Sequence, residues 1–157
     1  MFKDYCSRNN ALQNIAEAGG LLVSSHIMNN DALVSFLGRS KIIAYLVAGN
    51  PAYANTDPFV LAYALASEYM QDKIPRTEYS TMYDNYIHHV KDLKAFWYAR
   101  TLVDVSMKLD RPISLLNGAI PFEELEHLYE FYHVFMNADA IIEECYAPAL
   151  ASDGGRE

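Results

Sequence analysis

The chain predicts an all-α fold: a single compact, bundle-like domain of about five main helices plus a short helical turn. Three observations lead there. Apolar residues recur at three- and four-residue steps over most of the length. Helix start and stop signals punctuate those stretches. Strand signals are nearly absent, with no sustained alternation and no Asn-Gly or Asp-Gly turn joining two β-branched runs. A length of 157 residues is one ordinary domain, and 52% apolar content is enough for a real core. The helical domain is expected over 1–146 and a flexible tail over 147–157.

The first helix is expected from about Asn10, ending either at Val23 or at Met28. Leu12, Ile15, Ala16, Gly19, Leu22 and Val23 fall on one face. Gly19-Gly20 weakens that helix by roughly 1 kcal/mol per glycine against alanine. It marks either a break or the close approach of another helix. Asn30 or Asp31 caps a second helix running to about Gly49, where Gly49-Asn50-Pro51 stops it. Thr56-Asp57-Pro58 starts a third, with a capping side chain followed by proline at the first helical position. It runs to about Lys73, ahead of Ile74-Pro75.

The fourth helix is the longest, from about Thr77 to Leu109. Tyr79, Tyr83, Tyr86, Val90, Leu93 and Trp97 step along it as a packing seam. The phase changes after Trp97, which places a kink or a change of packing partner near Arg100. Asp110-Arg111-Pro112 breaks the chain, and 113–119 make the short turn. The last helix opens at Ile120-Pro121 and reaches about Cys145, with Leu125, Leu128, Tyr132, Phe135 and Ile142 as its stripe.

Charge is spread unevenly. The formal net charge is −8. Residues 1–50 hold 4 basic and 3 acidic groups, 51–110 hold 6 and 8, and 111–157 hold 2 and 9. An acidic surface argues against direct binding to nucleic acid or anionic membranes, both of which need positive charge. The longest apolar run, Ile42 to Ala48, is far short of the roughly 20 residues of a membrane span. The N-terminal residues are too polar for a signal peptide. A reducing cytoplasm, bacterial or of a host cell, is the expected location.

On the last helix Glu123, Glu126, Glu130, His133 and Asn137 share one wedge, together with Glu144. It is either a solvated face or a contact surface for a basic partner. Two Glu-x-x-His copies, Glu124–His127 and Glu130–His133, have the spacing of di-iron bundle motifs, but both lie on one helix, where such a site needs two. No metal or other cofactor is expected. Arg100 and Asp104, and Asp139 and Glu143, are i,i+4 pairs on apolar faces, which points to a buried charge network. Cys6 and Cys145 have no partner motif, and no phosphate loop or nucleophile elbow is present. A helix-turn-helix over 31–49 would carry only Arg39 and Lys41 as basic residues.

Twelve tyrosines supply large, amphipathic contact area. Lack of catalytic motifs, the acidic last helix and the tyrosines together point to a small helical regulator or inhibitor. It would act without catalysis, by binding another protein with a basic surface or a nucleic-acid-binding site. Immunity proteins, antitoxins and phage-encoded inhibitors share that size and charge, an analogy only. Homodimerisation through the Tyr/Trp seam is a further expectation. The alternatives are a metal-binding bundle enzyme using Glu and His of the last helix, and a structural subunit of a larger assembly.

Overall fold

Residues 5–49 and 56–109 are described by a computed structural model. They form six helices and no strand, an all-α domain as the periodicity requires. Helix α1 spans Tyr5–Ser24. Ala11, Leu12, Ile15, Ala16, Ala18, Leu21 and Leu22 are all buried on it, a wider arc than the expected single face. The reason is position: α1 is the central helix, packed by each of the others in turn.

Its main partner is α6, Leu93–Leu109. The two glycines resolve as a close approach and not as a break. A Cβ on Gly19 would sit 3.0 Å from the Ala99 Cβ, and one on Gly20 would sit 3.0 Å from the Asp92 carbonyl oxygen. That proximity lets the Asp92 amide donate to the Gly20 carbonyl at 3.0 Å. Across this contact Ala95, Tyr98, Ala99, Leu102 and Val103 complete the core.

The expected second helix is two. Helix α2 covers Asn30–Arg39 and is capped by Asn29, whose side chain accepts from the Ala32 amide at 2.7 Å. Helix α3 covers Lys41–Val47. Between them Ser40 is extended, and its hydroxyl caps α3 at the Ile43 amide. A second contribution comes from another helix. The Glu68 carboxylate accepts from the Ser40 hydroxyl and, at 2.8 Å, from the Lys41 amide. A carboxylate so placed satisfies donors that begin a helix, and thereby adds to the break that the capping serine marks locally. Gly49, left-handed at φ 87°, ends α3 as anticipated.

Helix α4 is Pro58–Met70 and starts where its signal lies: Asp57 accepts from the Phe59 amide at 2.9 Å. It stops three residues before the expected Lys73. Gln71 is left-handed, and the Asp72 amide returns to the Ser67 carbonyl.

The long fourth helix is also two, α5 over Arg76–Ile87 and α6. The break is at 88–92 and not near Arg100, which lies inside an uninterrupted α6. His89 is left-handed at φ 56°; its amide bonds the Tyr86 carbonyl, and the Val90 amide bonds the Asn85 carbonyl. This is a Schellman terminator built without glycine. Asp92 then caps α6 by accepting from the Ala95 amide. The expected seam is therefore divided, and most of it is on the surface: Tyr79, Tyr83, Val90 and Leu93 are exposed. Met82 is the one buried side chain of α5. No helix among the described residues is long and apolar enough to cross a membrane.

Candidate functional site

The exposed part of that seam, with α4, forms an aromatic face. Phe59, at the second position of α4, is its hub. Its ring meets Tyr79 and Tyr83 edge-on, each at 5.5 Å between centroids, and Tyr86 at 5.3 Å. One turn along α4, Tyr63 meets Tyr79 edge-on at 5.6 Å. Tyr79 and Tyr83, one turn apart on α5, lie parallel at 6.5 Å. Edge-to-face pairs of this kind contribute about 0.5–1.5 kcal/mol each beyond area burial. They hold the rings in place while leaving them accessible: Tyr79 is 39% exposed and Tyr83 47%. Val60 and Ile87 add exposed apolar surface on the same two helices.

Asp57 ties the ends of these helices together. One oxygen caps α4; the other accepts the Tyr86 hydroxyl at 2.8 Å. This bond pushes the Tyr86 phenol above its ordinary 10.0, aided by burial and the negative charge of Asp57. A raised value favours the protonated phenol in the folded chain. Its contribution is whole below pH about 10 and is lost as pH rises through the raised value. The alkaline absorbance titration of wild type minus that of Tyr86→Phe should have its midpoint above 10.0, falling back towards it in Asp57→Asn. An unshifted midpoint would show that the bond is not made in solution.

Behind Tyr86 lies a cavity of about 300 Å³, lined by Gln13, Asn14, Glu17, Asn85, His89 and Lys91 among others. Lys91 donates to Glu17 at 2.7 Å and lies 4.7 Å over the Phe96 ring. Both charges are about one quarter exposed and satisfied by each other, so the cavity presents a neutral wall. Asn85 donates to Ser25 at 3.1 Å and fastens the end of α5 to the end of α1. A second hollow holds His26, Asn29, Asn30, Tyr69 and Asp92. Among the described residues no three His, Cys, Asp or Glu side chains gather as a metal site.

The acidic wedge residues Glu123, Glu126, Glu130, His133 and Asn137 lie outside the described residues, as do Asp139 and Glu143 and both Glu-x-x-His copies. Arg100 and Asp104 are one turn apart on α6, both half-buried and both engaged by neighbouring groups. Sequence reasoning missed Phe59 and Val60. The available signal was the i,i+4 pair Phe59 and Tyr63, which matches the i,i+4 pair Tyr79 and Tyr83. Comparison of the chain with protein-family models, curated proteins and solved structures finds no match.

Proposed function

We propose that this chain is a non-catalytic binding protein, a small helical regulator or inhibitor that contacts another macromolecule through the aromatic face of α4 and α5. The observation that carries this reading is the interlocked set Phe59, Tyr63, Tyr79 and Tyr83, in which the half-buried Phe59 and Tyr63 brace the exposed Tyr79 and Tyr83. Tyrosine in such a setting offers large contact area at small entropic cost, and exposed apolar patches on soluble domains mark contact sites. Its charge supports a partner with a basic surface: nine acidic groups lie between 111 and 157 against two basic ones. Charge of that kind sets association rate and partner choice more than affinity.

Capture from a lysate of the source cells with three parallel baits tests it. The baits are the wild type, Tyr79→Ser/Tyr83→Ser, and Glu123→Lys/Glu126→Lys/Glu130→Lys. A protein retained by the wild type should be lost from the tyrosine variant, and weakened in the charge variant and at raised salt. If all three baits retain the same proteins equally, the reading is wrong.

A further inference from the structure

Helix α5 has a second seam, on the side away from Met82. Arg76, Ser80, Tyr83 and Ile87 are all exposed, and they step by four, three and four residues. That is the spacing of a helix prepared to pack against another helix. Its charges are arranged about a centre. Arg76 lies four residues before Ser80 and Asp84 four residues after it. Arg76 has no ion-pair partner among the described residues. Among the described residues Asp84 pairs with His88 of its own helix, at 3.4 Å, with both side chains well over half exposed.

We propose that a second copy of this chain covers this seam, its α5 antiparallel to the first and the two-fold axis passing at Ser80. Antiparallel pairing about Ser80 sets each residue before it against the residue equally far after it in the other copy. Arg76 then faces Asp84 of the second copy, and the symmetry makes that ion pair twice. Two serines at the crossing allow the helices to approach closely, since interaxial distance follows the side chains at the contact. Tyr83, three residues after Ser80, is covered on both sides by the Thr77 turn of the other copy, while Ile87 at the end of the helix stays at the rim. A parallel arrangement would set Arg76 against Arg76 and Asp84 against Asp84, so the charges select the antiparallel one.

The twelve-residue helix is about 18 Å long. It buries less than the roughly 800 Å² per partner of a standard interface, so the dimer is weak and exchanges readily. This inference rests on the proposed binding role of the α4–α5 face and names its first occupant.

Sedimentation equilibrium of the full chain, over a concentration series reaching the millimolar range, tests it. The mass should rise from 17.8 kDa towards twice that value. Arg76→Asp and Asp84→Arg should each weaken association by at least about tenfold, because each sets like charges face to face twice. The double variant Arg76→Asp/Asp84→Arg should restore it. Both positions are exposed, so circular dichroism should stay unchanged. A chain monomeric throughout, a dimer indifferent to the single reversals, or a double variant that fails to recover overturns the proposal. A monomeric chain whose Tyr79→Ser/Tyr83→Ser form still loses captured proteins overturns the dimer alone. A dimer whose captured proteins ignore that substitution overturns the heterologous reading alone.

Discussion

Gly20→Val is expected to lower the unfolding free energy by about 3 kcal/mol. A Cβ at this position already stands 3.0 Å from a backbone carbonyl oxygen and 3.1 Å from the Lys91 Cβ. Two further methyl groups have no room, and the obstacle is main chain that cannot rotate aside. Overpacking of this kind costs about 1–3 kcal/mol. Displacing the 91–92 segment also removes the bond from the Asp92 amide to the Gly20 carbonyl, about 1 kcal/mol more. The gain in helix propensity on replacing glycine offsets only roughly 0.5 kcal/mol. For a chain of this size the melting temperature should fall by about 6–12 °C. Gly20→Ala should show a smaller loss. An unchanged midpoint in urea or heat would mean that the two helices are not in close contact at this point.

Met82→Ala is the second large effect, about 2–4 kcal/mol. Met82 is the one buried side chain of α5, fully removed from solvent. The half-buried residues of that helix, Glu78, Asn85 and Tyr86, cannot replace it as an apolar anchor. The loss should therefore be local before it is global. Helicity should drop by about one helix, and amides of 76–87 should exchange faster than those of α1 or α6. Met82→Leu conserves volume and should cost less than about 1.5 kcal/mol. Equal destabilisation by both substitutions would mean that α5 is not held through this side chain.

Some elements were legible in the sequence because their determinants are local. Asp57-Pro58 starts α4 through its own side chain and ring, and Gly49 ends α3 through its own φ. The remaining boundaries were hidden for two physical reasons. The break at Ser40 has a local mark in the capping serine, but it is reinforced by Glu68, a group 28 residues away that no window over 30–49 contains. The ends of α4 and α5 are the second case. Gln71 and His89 take the left-handed conformation in which glycine is expected, so no compositional signal precedes them. The heptad steps across His89 continued by coincidence, which merged α5 with α6 and assigned Tyr79 and Tyr83 to the core. Of the candidate site, the tyrosines were legible as a row on one helix. Their exposure was not, because it depends on where α5 ends. The acidic wedge was readable only as composition and helical phase, and it lies outside the described residues.

The pairing of α1 with α6 also has a consequence for synthesis. The two contact segments, Gly20 and Asp92, are separated by about 70 residues. At roughly 5–20 residues per second, the ribosome needs about 4–14 s to make that interval. During that time the apolar surface of α1, which includes Leu12, Ile15 and Leu22, has been made while its main partner has not. The nascent chain is therefore exposed to aggregation and to chaperones while the stretch between these two helices is being made. That vulnerability is set by the order of the helices, independently of how stable the finished domain is.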